Sequence, residues 1–132
     1  MREKIIINSK NDKIRKICTK VYNFLTNFFP SLLNKLYIID FVSLLQIKSL
    51  KKKIWNMNTT TDTITLIFDD SVHIYLCLGV IRKNSATYGL TFEDELSLVL
   101  IHSFLHSLGK SEEEVSSIQE ELFRELKNEQ KI

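Results

Sequence analysis

Apolar positions recur along the chain at changing intervals, and each change of interval predicts an element. The run "KIIINS" is short, β-rich and bounded by polar residues, which suits an N-terminal strand. In "DKIRKICTKVYNFLTNFF" the apolar positions Ile14, Ile17, Val21, Leu25 and Phe28 fall three or four apart, the period of an amphipathic helix, and Pro30 marks its end. "LYIIDFV" reads as a second strand. A helix follows through "LLQIKSLKKKIWN", with Leu44, Ile47, Leu50 and Ile54 on one face and the lysines on the other. "TTTDTITLIFDD" favours a third strand, because Thr61, Thr63 and Thr65 are β-branched while Ile64 and Phe68 add apolar weight. "VHIYLCLGVI" supplies a fourth, with a bend at Gly79.

From Phe92 the pattern is helical again. Thr91 is placed as N-cap with Asp94 three residues on, and Glu93, Asp94 and Glu95 complement the positive end of the helix dipole. Gly109 is placed to end this helix in the left-handed conformation. Ser111 and Glu114 form an S-x-x-E capping box for a last helix carrying Val115, Ile118, Leu122 and Leu126. The chain reads as one α+β domain over residues 1–132, four strands with packed helices, since no linker, repeat or low-complexity stretch divides it.

Between Leu96 and Leu108 nearly every residue is apolar except Ser97, His102, Ser103, His106 and Ser107. The last four make one narrow polar stripe on a helix otherwise fit for burial, and a buried imidazole without a partner is costly. A divalent metal is one such partner, since imidazoles one turn apart can both reach a tetrahedral Zn²⁺. Hydrogen bonds to backbone or side-chain groups in the core are the other, and the histidine pair alone does not choose between them.

Charge and composition narrow the choice of partner. Residues 1–92 carry 14 Lys and Arg against 6 Asp and Glu, while residues 93–132 carry 4 against 10. A basic body with an acidic end favours a polyanion met on one side, against the plainer reading of solvated surface lysines. The most apolar region, residues 21–45, is interrupted by Asn23, Asn27, Pro30, Asn34, Lys35 and Asp40 and never supplies the roughly 18 apolar residues of a membrane span. Cys18 and Cys77, with no C-x-x-C and no secretory leader, read as reduced thiols of a cytosolic protein.

The stretch "LCLGVIRKNSATYGLTFEDELSLVLIHSFLHSLG" resembles the segment of the YbeY-type rRNA maturation factors that leads into their metal motif, H-G-x-L-H-L-x-G-Y-D-H. Upstream, "IKSLKKKIWNMNTTTDTITLIF" is similar to that family's I-x-x-L-N-x-x-Y-R-x-x-D-x-P-T-D-V-L-S-F, at a fitting distance, so the resemblance covers residues 38–115. It implies an α+β fold of a mostly four-stranded sheet with packed helices, and a metal site on the helix of residues 93–108. It implies a cytoplasmic, single-strand-specific endoribonuclease with one Zn²⁺ per chain, acting in rRNA maturation of the 16S 3′-end type and in ribosome quality control. The partners it implies are single-stranded rRNA and the ribosome, with no DNA and no membrane.

Matched residue by residue, His102 and His106 fall on the family's first two metal ligands, and Glu112 falls on its third, a histidine there. Lys110 and Ser111 replace the Y-D pair, Trp55 takes the place of the arginine, and Val72 and His73 replace a G-D before the fourth strand. Thr61 and Asp62 of the P-T-D-V element are retained. With the arginine and the third histidine replaced, the alternative function is a relative that keeps the fold and its contact with RNA or the ribosome without cleaving.

Zinc accepts two histidines and a carboxylate as readily as three histidines, which makes Glu112 a sound third ligand. A glutamate in the first turn of a capped helix is also what the dipole favours with no metal near. Glu113 is the substitute if the turn shifts by one residue. Lys51, Lys52 and Lys53 are the candidate RNA contacts, point charges that only partly replace a bidentate guanidinium. Trp55 reads as core rather than as a platform for a base, His73 as a satisfied edge or core histidine, and Cys77 as strand core. No residue is assigned as general acid or base.

Overall fold

Strand β1 (Ile5–Asn8), helix α1 (Asp12–Phe28), a 3₁₀ turn at Pro30–Asn34 and strand β2 (Leu36–Phe41) open the chain in a computed structural model that describes residues 4–130. Helix α2 (Leu44–Trp55), strands β3 (Thr63–Ile67) and β4 (Ser71–Leu76), and helices α3 (Leu78–Tyr88), α4 (Phe92–Ser107) and α5 (Glu112–Gln130) complete it. The sheet runs β1-β2-β4-β3, with β1, β2 and β4 parallel and β3 antiparallel to β4. Parallel neighbours need long crossovers, which α1 supplies between β1 and β2.

The register sets the core. Ile7, Ile39 and Ile74 lie in one row across the sheet, and Tyr37 and Val72 in the next. All five are buried. Helix α1 covers this face with Ile14, Cys18, Val21 and Leu25. Helix α4 packs against α1, α3, α5 and β3, and its buried residues, among them Leu96, Leu100, Ile101 and Phe104, point all the way round it. A helix apolar on every side is one surrounded by neighbours, so the histidine pair rides on the most enclosed helix of the fold. The opposite face of the sheet is covered only in part, where Ile47 of α2 packs with Ile64 and Cys77.

The caps behave as their side chains dictate. Thr91 Oγ1 accepts from the Asp94 N–H at 3.1 Å, Gly109 adopts φ +83° after the last turn of α4, and Ser111 and Glu114 exchange their capping bonds at 3.2 and 3.1 Å. Those bonds hold the Glu114 carboxyl below its usual range, the donated backbone bond of Ser111 being the largest cause.

Several expectations need correction. The fourth strand stops at Leu76, and the rest of the run "VHIYLCLGVI" belongs to α3, which continues to Tyr88 and ends at Gly89 with φ +68°. An unbroken apolar run has no periodicity of its own, and here the three-and-four spacing of Leu78, Ile81 and Ser85 decides it. Cys77 is accordingly the N-cap of α3 rather than a strand residue, though it is buried. The apolar face of α2 is narrower than expected, with Ile47 buried and Leu50 packed beside it but Leu44 and Ile54, at the two ends of the helix, exposed. Phe28 and Phe68 are also exposed. Cys18 and Cys77 are buried and unbridged, and burial pushes the Cys18 thiol up to about 12. Among the described residues, no helix is long and apolar enough to cross a membrane.

Candidate functional site

The polar stripe of α4 divides in two. Ser103 and Ser107 turn inward: Ser103 Oγ lies 3.1 Å from Thr63 Oγ1 on β3, and Ser107 Oγ lies 2.6 Å from the Tyr37 hydroxyl on β2. Burial raises the Tyr37 pKa, with the Ser107 bond opposing and Tyr22 reinforcing it. These two pairs satisfy the hydroxyls and tie α4 to the sheet, which fixes the helix's rotation. His102 and His106 are thereby turned the other way, towards α5, and stay about one-third exposed, at 32% and 28%.

Helix α5 meets them with Glu112 in its first turn. Glu112 Oε1 lies 2.9 Å from His106 Nε2 and 3.5 Å from His102 Nε2, and one ligand atom from each of the three residues falls within 4.8 Å of the others. In a tetrahedral site with bonds of about 2.0–2.1 Å, ligand atoms sit roughly 3.3 Å apart. The two spacings to Glu112 bracket that value, and all three ligand atoms lie within 4.8 Å of one another, an arrangement that could hold one ion. Two neutral imidazole nitrogens and a carboxylate oxygen are also a donor set that zinc favours. Glu113 is exposed and takes no part in this cluster.

The residue that sequence reasoning missed is Gln119. Its Oε1 lies 2.9 Å from His102 Nδ1, and an amide oxygen only accepts, so Nδ1–H donates and Nε2 is the nitrogen turned towards Glu112. This is the outer bond that orients metal-bound histidines. Its signal in the sequence was faint: Gln119 follows Glu112 by seven residues, two turns along the same face of α5.

The other singled-out residues lie elsewhere. Lys51 is half-buried, and Lys52 and Lys53 are exposed along α2; none lines the cavity beside His102. Trp55 is 48% exposed, against the expectation of core. It follows Ile47 by eight residues, about 80° round the helix from that buried position. His73 is satisfied, as expected, but β4 is an interior strand. Its Nε2 donates to Asp40 Oδ2 on β2 and its ring stacks on Tyr75 at 4.3 Å. Burial would raise the Asp40 pKa, but the bonds from His73 and Asn8, with the charge of His73, outweigh it and hold the carboxyl low.

The profile of the family described as Endoribonuclease YbeY matches residues 2–130. The chain belongs to the YbeY family. An Endoribonuclease YbeY of Thermosipho melanesiensis is 38% identical over 76 residues, 55% of each chain. One of Thermotoga neapolitana is 31% identical over 123 residues, which is 91% of this chain and 75% of that one. Across the first relatives matched, the aligned stretch spans about half of their length. The solution structure of TM1509 from Thermotoga maritima superposes with a TM-score of 0.69 at 23% identity, covering 96% of this chain and 91% of that one, and it shares the fold. On this YbeY fold, the three residues that converge are those the family motif aligned, with Glu112 at the position of the third histidine.

Proposed function

We propose that this chain is a zinc-dependent, single-strand-specific endoribonuclease that acts in the cytoplasm on rRNA, in maturation of the 16S 3′-end type and in ribosome quality control, as one domain over residues 1–132. The observation that carries the reading is the convergence of His102, His106 and Glu112 in a YbeY-family fold. Those three residues hold one Zn²⁺. When bound, the ion supplies Lewis-acid chemistry, making water a nucleophile at neutral pH and stabilising charge at phosphorus.

The protein's part is orientation. Gln119 holds His102 in the tautomer whose Nε2 is free to ligate. Glu112 accepts from His106 Nε2 at 2.9 Å, so the two side chains that would hold the ion already face each other. Lys51, Lys52 and Lys53 carry the RNA backbone by charge alone. The experiment is cleavage of single-stranded against double-stranded RNA by the purified protein, with and without chelator. Cleavage of the single strand that chelation abolishes supports the reading; RNA left intact by the zinc-loaded protein rejects it.

A second reading is supported by a specific feature. No lysine or arginine lines the cavity beside His102, and Trp55 stands where the resemblance places an arginine, so a YbeY relative that binds RNA or the ribosome without cleaving it would carry this same surface. Zinc binding and RNA affinity without turnover would select it.

A further inference from the structure

Glu95, Leu98, Val99 and His102 follow one another at i, i+3, i+4 and i+7 on α4, and together they line a cavity of about 340 Å³. That size falls at the lower end of the roughly 300–1,000 Å³ typical of small-ligand sites. Gln119 and Glu120 of α5 form another wall, and Asp62, just before β3, a third. Tyr88 stands at the rim, 64% exposed. Glu95 is only 6% exposed, and its carboxyl has no hydrogen-bond partner among the described residues.

The lining excludes two kinds of ligand. Asp62, Glu95 and Glu120 with no lysine or arginine would repel a phosphate. Nor do these carboxyls form a metal cage: among the described residues, the group of three or more whose ligand atoms come within 4.8 Å of one another is His102, His106 and Glu112. In an RNA-cleaving protein, the uncharged part of a nucleotide suits such a lining. Carboxyl oxygens accept from exocyclic amines, as Asp and Glu do from cytosine N4, and an aromatic ring at a rim stacks on any base. Leu98 and Val99 supply the apolar surface beneath.

We infer that this cavity is a nucleobase subsite that takes a base bearing an exocyclic amino group, cytosine, adenine or guanine, in preference to uracil. The inference rests on the reading of the chain as an RNA-cleaving protein and names what that site selects. Uracil presents carbonyl oxygens where the amino bases present donors, and in this cavity they would face other acceptors. Burial raises the Glu95 pKa, and Asp62 and Glu120 push the same way. Seven residues of α4 separate Glu95 from His102, about 10 Å along the axis. His102 lines the cavity at its other end, so the base held here lies beside the candidate metal ligands.

The test uses cytidine and uridine, neutral nucleosides that differ at the amine and need no metal, titrated into the full chain and followed by two-dimensional NMR. Cytidine is expected to bind on the order of ten-fold more tightly than uridine, with shifts centred on Tyr88, Leu90, Leu98 and Val99. Tyr88→Ala, at an exposed position that the fold does not need, should weaken both nucleosides by a similar factor. Glu95→Leu should remove most of the preference for cytidine. Equal affinities, no binding, shifts centred elsewhere, or a preference unchanged in Glu95→Leu would each overturn the subsite. A chain that cleaves RNA but binds both nucleosides equally loses the subsite alone; one that prefers cytidine but leaves RNA intact loses the cleavage reading alone.

Discussion

Gln119 Oε1 lies 2.9 Å from His102 Nδ1 and so determines which nitrogen of that ring faces Glu112. The bond joins α5 to α4 behind the candidate ligands, where it orients the His102 ring.

Replacing Gln119 should therefore act on metal affinity more than on folding. Gln119→Leu is expected to weaken zinc binding by about 10–100-fold, the usual cost of losing an outer partner. Gln119→Glu, which still accepts from Nδ1–H, should cost less. Competition with a chromophoric chelator measures both; an unchanged affinity in Gln119→Leu would remove its orienting role.

Glu112 separates a ligand from a cap. As a ligand, Glu112→Gln lowers zinc affinity sharply and leaves the metal-free protein nearly as stable as before, while Glu112→His restores a three-histidine site. As a first-turn charge only, its loss costs about 0.3–1 kcal/mol in the metal-free protein and nothing in zinc affinity. Thermal unfolding with and without chelator distinguishes the two, and the ligand outcome is expected.

How much of this was legible depended on whether a residue's role is local. The caps at Thr91 and Ser111 and the left-handed turn at Gly109 are set by neighbours in sequence, and each stands where its residue type puts it. The histidine pair was visible through helical spacing and Glu112 through the family motif. The start of α3 lies inside an apolar run that has no periodicity of its own. Trp55 was misplaced because how little of α2 meets the sheet is a tertiary fact. Gln119 and Glu95 acquire their surroundings only when α5, α4 and the segment before β3 come together, and no local pattern announces that.

Glu95 carries a pH dependence whose sign is fixed. Its pKa is raised in the fold above the ordinary 4.5, by burial first and then by Asp62 and Glu120. The unfolded chain therefore loses its proton first as pH rises. Above about 4.5 the native state holds more protons than the unfolded one, and stability falls with rising pH until the folded pKa is passed. Glu95→Gln should flatten that fall and leave the protein more stable than wild type at neutral pH. Urea unfolding of both between pH 4 and 8 checks it, and a wild-type advantage at neutral pH would contradict it.

The basic surface is tested by salt. Charge reversal at Lys51, Lys52 and Lys53 should weaken single-stranded RNA binding and flatten the slope of log K against log salt by about 0.7 for each lost phosphate contact. Unchanged affinity and slope would place RNA on another face.

The most direct measurement is the metal content of the purified protein, by mass spectrometry, for wild type beside the double variant His102→Ala with His106→Ala. About one zinc per chain in wild type, falling to background in the variant, is the expected result. Equal zinc in the two proteins, or none in wild type after purification without chelator and zinc supplementation, would contradict a metal centre built on these histidines.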